Sequence, residues 1–194
     1  MHRLSINLAV IVLLVTSGVA VRVALRDIPN FAPVAALALF AGFYFVPRTL
    51  AASVPIAVMV ISDRLVDAGG YSWPLMLTVY GLLTLPVFFR GFLHRYFSLH
   101  QASRPRLAAS ICGLFGCSLA CSLMFFLGTN WMVWMTGNWY EPTLTGLMTC
   151  LANGIPFFRY TLAGDAVFSM ILFGGYATVW ATIRSAERAL VPVS

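Results

Sequence analysis

Long uncharged runs dominate this sequence and limit what it can fold into. The stretches without Asp, Glu, Lys or Arg are residues 4–21, 28–47, 49–62, 68–89, 107–140, 142–158 and 166–183. A helix that crosses a bilayer needs about 20 predominantly apolar residues. Only 9% of the residues are charged, whereas a soluble domain has about 25%. Residues 1–194 are therefore predicted to form a single integral membrane domain.

The apolar runs predict an all-α fold, a polytopic membrane helix bundle with six transmembrane helices. Their approximate bounds are 5–22, 31–47, 49–62, 74–91, 107–128 and 164–184. The first run imitates a signal peptide, but it is long enough to span and we expect it to be retained.

A further apolar stretch, residues 143–158, ends near Pro156. Broken helices at membrane depth are tolerated where they are buried in protein or line a cavity. We therefore expect a half-length or re-entrant helix before the last span. Gly164-Asp165 is typical of a helix start, with Asp165 as the N-cap.

Arginine positions predict the orientation. The segment FFRGFLHRYFSLHQASRPRL, between the fourth and fifth helices, carries four arginines and no acid. Cytoplasmic loops are enriched in Lys and Arg, so this segment and, by the even helix count, both termini are predicted to be cytoplasmic. Arg22 and Arg26 are the exceptions, because they fall on the outer side. We expect the protein in the bacterial cytoplasmic (inner) membrane.

Aromatic and polar residues concentrate on the predicted outer side. The stretch TNWMVWMTGNWYE, residues 129–141, holds three of the five tryptophans. An aromatic belt at the headgroup level is one interpretation. A pocket wall is the other, because rings and amides together line small-molecule sites. Arg159 near membrane depth also needs a partner, and Asp165, Asp63 or an anionic ligand group are the candidates.

These residues define a predicted ligand-binding set. It comprises Asn30, Asp63, Tyr80, Asn130, Trp131, Trp134, Trp139, Tyr140, Glu141, Phe158, Arg159 and Asp165. Alternatives stay open for two of its acids, since Asp63 at a helix end can simply mark the water boundary and Asp165 can be only a cap. The sequence predicts no metal ligands, no cofactor and no catalytic residues. It lacks a Walker motif and a clustered basic face, which argues against ATP hydrolysis and nucleic-acid binding.

Several motifs together resemble a known group of proteins. They are IPNFAPVAALALFAG, VPIAVMVISD, VYG, FFLGTNWMVW, WYEPTLTGLMTC and IPFFRYTLAGDAVF, within residues 26 to 175. The group consists of small bacterial membrane proteins described as transport proteins. It is similar in size and helix count to the substrate-binding S components of energy-coupling factor transporters.

The resemblance implies a six-helix protein that binds a vitamin or cofactor precursor at its outer face. It also implies docking on a transmembrane coupling subunit driven by two ATPases. S components use an Ala-x-x-x-Ala patch on the first helix for docking. Ala32 and Ala36 match that spacing here, but on the second apolar segment.

Three functions are compatible with these features. The first is a transport protein that binds a small molecule at its external face. The second is a non-transporting membrane scaffold, a partner subunit of an envelope complex. The third is an intramembrane enzyme that combines Asp63, Asp165 or Glu141 with His94 or His100. We expect no enzyme, because the histidines are predicted on the side opposite the acids.

Overall fold

The regular secondary structure of the described residues is entirely helical. The structure, a computed structural model, describes residues 2–66, 72–96 and 104–190. The helices are α1 (His2–Ala24), α2 (Val34–Tyr44), α3 (Arg48–Leu65), α4 (Trp73–Thr84), the 3-10 segment Leu85–Phe89, α5 (Arg90–Tyr96), α6 (Arg104–Thr136) and α7 (Leu144–Leu190). The prediction of an all-α helix bundle is confirmed.

Four helical stretches in the described ranges are long and apolar enough to cross a membrane. They are Leu4–Ala24, Trp73–Arg95, Ala108–Thr136 and Leu144–Glu187. By contrast, α2 is apolar but has only 11 residues. At 1.5 Å per residue it is about 16 Å long, half of the ~30 Å hydrocarbon core. The bundle therefore has the helices of a membrane protein, with a short apolar helix among them.

The short helix α2 lies at the centre of the bundle. Every residue from Val34 to Phe43 is buried, and α2 packs against all the other described α-helices. Its alanines and Gly42 allow this, because small residues let neighbouring backbones approach closely. A Cβ on Gly42 would lie 2.5 Å from the Val87 carbonyl oxygen, so the 3-10 segment touches the α2 backbone at this position.

The central position of α2 bears on the predicted docking residues Ala32 and Ala36. Ala36 is only 1% exposed, so a partner cannot reach it in this arrangement. Ala32 lies just before α2, where a Cβ on Gly164 would come within 3.3 Å of its backbone nitrogen. The four-residue spacing of small residues here accompanies packing within the chain, and docking through Ala32 and Ala36 stays a prediction that this arrangement does not favour.

Two basic residues bind the C-terminal end of α2. Arg90 donates a hydrogen bond to the Phe45 carbonyl. His94 Nε2 lies 3.1 Å from the Phe43 carbonyl oxygen, and its ring stacks on the Phe43 ring at 4.7 Å between centroids. The last carbonyls of a helix have no intrahelical donor, so these side chains satisfy them. Arg90 and His94 thus tie α5 to α2.

Helix α7 is continuous where a break was predicted. It runs from Leu144 to Leu190 and contains Pro156, so the expected half-helix and the helix start at Gly164-Asp165 are both wrong. Pro156 has no backbone N–H, so the helix lacks one hydrogen bond at this position. The helix continues nevertheless, and it packs against α6. Asp165 is not a cap, since its carboxylate accepts a hydrogen bond from Ser122 of α6.

Candidate ligand-binding cavity

A cavity of about 450 Å³ opens at one end of the bundle. Its walls come from the C-terminal parts of α1, α3 and α6, most of α4, the N-terminal part of α7, the first residues of α2, and the segment between α1 and α2. Most of the lining side chains are apolar or aromatic, with a few polar groups among them. Pockets for small molecules have this composition and volumes of about 300–1,000 Å³.

The first polar group of the cavity joins α1, α3 and α4. Arg22 donates hydrogen bonds to the Asp63 carboxylate and to the Ser62 hydroxyl. The Tyr80 hydroxyl donates to the other oxygen of Asp63 at 2.6 Å. The side chains of Arg22 and Asp63 are 21% and 19% exposed, so water screens their attraction less than it would on an open surface. This ion pair explains why Arg22 lies at this end of the bundle.

The second wall lies between α6 and α7. Asn130 donates from Nδ2 to the Phe126 carbonyl at 2.8 Å, and the rings of Phe126 and Phe158 lie 4.7 Å apart. Gly154 makes this packing possible. A Cβ at this position would lie 2.7 Å from Asn130 Oδ1 and 2.9 Å from the Phe126 ring. The missing side chain at Gly154 thus leaves room for the amide and the ring.

Asp165 forms the floor of the cavity. It is the cavity-lining residue of α7 that lies furthest from the α6–α7 turn. The residue is only 4% exposed, and Ser122 Oγ lies 2.6 Å from its Oδ2. The ion pairs of the described residues join Arg22 to Asp63 and Arg26 to Asp27, so Asp165 has no basic partner among them. A buried carboxyl with one hydroxyl donor is unusual, because burial of a charge is costly.

The segment before α2 forms the rim. Asn30 adopts a left-handed backbone conformation with φ 59°, which asparagine tolerates better than most residues. Phe31 follows and packs its ring 5.4 Å from that of Phe168. This turn brings the chain across the end of the bundle, and Asn30, Phe31 and Ala32 all line the cavity.

The comparison with protein families covers almost the whole chain. Residues 2–188 match a family of unknown function, DUF6580. The chain belongs to this family. No curated protein and no solved structure matches it.

The tryptophans around the α6–α7 turn, together with Tyr140 and Glu141, do not line the cavity. Trp134 Nε1 donates to the Glu141 carbonyl at 2.9 Å, and Tyr140 accepts a hydrogen bond from Asn153 at 3.3 Å. Trp139 is 84% exposed. These contacts hold the turn together, and exposed rings at this level fit the aromatic-belt interpretation.

Trp131, whose ring lies 5.2 Å from that of Trp134, is also absent from the lining. Ligand contact by Trp131, Trp134, Trp139, Tyr140 or Glu141 stays a prediction that this geometry does not favour.

Arg159 does not have the partners expected for it. Its guanidinium lies 4.9 Å from the centroid of the neighbouring Tyr160 ring, and it donates to the Tyr160 hydroxyl at 3.1 Å. The residue is exposed and does not line the cavity. Neither Asp63 nor Asp165 pairs with it. Arg159 and Asp165 lie on one continuous helix, six residues apart, and so point in different directions.

The cavity brings together half of the predicted set and adds residues that the sequence did not single out. The predicted residues in it are Asn30, Asp63, Tyr80, Asn130, Phe158 and Asp165. Arg22 and Phe126 were missed as site residues, although two arginines on the outer side had signalled a special role. Of the histidines in the enzyme interpretation, His94 binds the far end of α2, and His100 lies outside the described residues.

Proposed function

We propose that this protein is a membrane transport protein that binds a small water-soluble molecule in the cavity. One observation carries the proposal. A volume of about 450 Å³ is enclosed by apolar and aromatic walls, with polar groups at separate positions on α1, α6 and α7. Apolar walls supply affinity, while a few fixed polar groups orient a ligand.

The polar groups of the cavity have hydrogen-bonding capacity to spare. Arg22 uses Nη1 for its contacts with Asp63 and Ser62, and a guanidinium carries five N–H donors. Asn130 uses one N–H of its amide for the Phe126 carbonyl and accepts from the Cys150 thiol at Oδ1, which leaves its other N–H and a second lone pair on Oδ1. Both oxygens of Asp63 are already occupied. We therefore assign Asp63 to holding Arg22 and Tyr80, and Arg22 and Asn130 to the ligand.

The charge distribution supports an external position for the cavity. Helix α4 lines the cavity and leads through the 3-10 segment and α5 to Arg95, whereas α6 begins at Arg104 and reaches the cavity with its C-terminal part. The described flanks of the arginine-rich segment, the end of α5 and the start of α6, thus lie away from the cavity, and such segments are cytoplasmic. The proposal keeps six membrane-embedded helical passes, with both termini cytoplasmic, in the bacterial inner membrane.

The resemblance to S components adds the ligand class and the partners. In this proposal the ligand is a vitamin or cofactor precursor, and a transmembrane coupling subunit with ATPases completes the transporter. Because Ala36 is buried, such a subunit would need a surface other than α2. The chain itself binds and does not catalyse.

A ligand screen tests the proposal. Purified protein in mild detergent is titrated with water-soluble vitamins, nucleobases and cofactor precursors, and its midpoint of thermal unfolding is recorded. A ligand that binds only the folded state raises this midpoint, and the rise grows with the logarithm of the ligand concentration above the Kd. We expect one class of compound to give such a concentration-dependent rise. A flat response from protein shown to be folded would contradict the proposal and favour the scaffold interpretation.

A further inference from the structure

The charge balance of the cavity points to a property of its ligand. Arg22 is neutralised by Asp63. Arg26 lies at the rim, where its side chain is 58% exposed and its Nε lies 3.9 Å from Asp27 Oδ1. Water and salt therefore screen the charge of Arg26. Asp165 is left as the lining charge that no described basic group balances. Its burial at 4% exposure excludes most of the water that would otherwise solvate a carboxylate.

Asp165 lies at a depth where an unbalanced charge is costly. It lies inside Leu144–Glu187, a stretch apolar enough to cross a membrane. Ionisable residues at such depth are costly and usually pair with another group or mark a substrate pathway. The Ser122 hydroxyl at 2.6 Å is one donor, whereas a carboxylate has about four acceptor sites. Asp165 also lines the cavity, so a ligand there can use the remaining acceptor sites.

The surroundings of the carboxyl suit a positive charge. Phe31, Phe126 and Phe158 line the same cavity, and aromatic faces attract cations that approach within about 6 Å of the ring centroid. Thr161 lies one turn before Asp165 and also lines the cavity. An ammonium group has three N–H donors, and carboxylate and hydroxyl oxygens can accept hydrogen bonds from them.

We infer that the ligand of this cavity carries a positively charged group, such as a protonated amine, which pairs with Asp165 at the cavity floor. This inference rests on the proposed binding function and deepens it. It predicts that the charged group enters first and that the rest of the molecule lies between the aromatic walls. A purely structural Asp165, needed only for its hydrogen bond to Ser122, would give no preference for cations.

The test compares amines with alcohols of nearly the same shape. Phenethylamine is paired with 2-phenylethanol, tryptamine with tryptophol, and pyridoxamine with pyridoxine. Each is titrated by calorimetry into the full-length protein in detergent. We expect an amine to bind at least about ten-fold more tightly than its alcohol, because a buried carboxylate interacts far more strongly with a charged donor than with a neutral one. This comparison in the unmodified protein depends on no variant.

The variant Asp165→Asn then tests whether Asp165 causes the preference for amines over alcohols. It keeps the shape and a hydrogen bond to Ser122 but removes the charge. We expect it to lower amine affinity at least about ten-fold and alcohol affinity less than about two-fold. Glu187→Gln, an exposed acid on the same helix, is the matched control and should change neither. Unfolding midpoints verify that each variant is folded.

The outcomes separate the inference from the proposed function. If a neutral or anionic compound binds and no amine does, the inference is overturned and the binding function stands. If amines bind equally well to Asp165→Asn, the inference is also overturned. If neither these probes nor the wider panel bind to folded protein, both proposals fail.

Discussion

Tyr80 donates a hydrogen bond to Asp63 across 2.6 Å, although the two residues belong to different helices. The same carboxylate accepts from Arg22 of α1. One side chain of α3 therefore joins three helices at the wall of the cavity. This arrangement gives the cavity a fixed polar corner without the need for a ligand.

Removal of the Tyr80 hydroxyl should weaken the bundle. We expect Tyr80→Phe to lower the free energy of unfolding by about 1.5–3 kcal/mol, the range for hydrogen bonds to charged groups. Thermal or denaturant unfolding in detergent measures the loss. Tyr160→Phe is the control, because the Tyr160 hydroxyl bonds only to the exposed Arg159 in the described structure. An equal effect of the two variants would contradict the assigned role.

Removal of the Arg22 charge should cost more than loss of the hydroxyl alone. Arg22→Met leaves Asp63 without its cation. Removal of one partner from a fully buried ion pair costs about 3–5 kcal/mol. With about one fifth of each side chain exposed, we expect about 2–3 kcal/mol. The double variant Arg22→Met, Asp63→Asn should lose less than the sum of the two single variants. Additive losses in unfolding experiments would show that the pair is not coupled.

Gly154 should control the width of the cavity. Gly154→Ala places a methyl group against Asn130 and Phe126, and we expect ligand affinity to fall at least about five-fold, or about 1 kcal/mol. Gly174→Ala on the same helix meets nothing within 4 Å. This control should leave affinity unchanged and stabilise the helix by about 0.5–1 kcal/mol. Binding titrations of the ligand found in the screen measure both, and an unaffected Gly154→Ala would place the ligand elsewhere.

Gly42 should limit the packing of the central helix. Gly42→Ala drives a methyl group into the backbone of Val87, which cannot move away like a flexible side chain. We expect a loss of about 1–3 kcal/mol, the usual cost of overpacking. Gly81→Ala has open space around it and is the control in the same unfolding measurement. Equal stabilities of the two variants would show that α2 is less tightly held than described.

The uncharged runs predict most of the helices but not all of their ends. In most places a charged or turn-forming segment separates two apolar runs, so those helices follow from hydropathy. Arg159 and Asp165 are exceptions, because both lie inside α7. The predicted helix break between Pro156 and Asp165 is wrong, because the proline and the Gly164-Asp165 pair are each only weak signals for a helix end. Packing against α6 and the hydroxyl of Ser122 outweigh them, and neither is visible in the local sequence.

The candidate site was only partly predictable for a related reason. The sequence pattern predicted polar residues such as Asn130 and Asp165 at the end of the bundle where the cavity lies. It could not decide which of them face inward. Trp131 follows Asn130 directly, and consecutive residues of an α-helix point about 100° apart. The bond between Arg22 and Asp63 spans 41 positions, so no local spacing could reveal it.

The most direct test of the binding site compares Phe158→Ala with Trp134→Ala. Affinity for the ligand found in the screen is measured for both variants, after equal folding has been shown. Phe158 lines the cavity, and ring contacts with flat ligands contribute about 1–3 kcal/mol. We predict at least about a five-fold loss of affinity in Phe158→Ala and less than a two-fold change in Trp134→Ala. The reverse pattern would move the site to the tryptophan-rich turn and contradict the account.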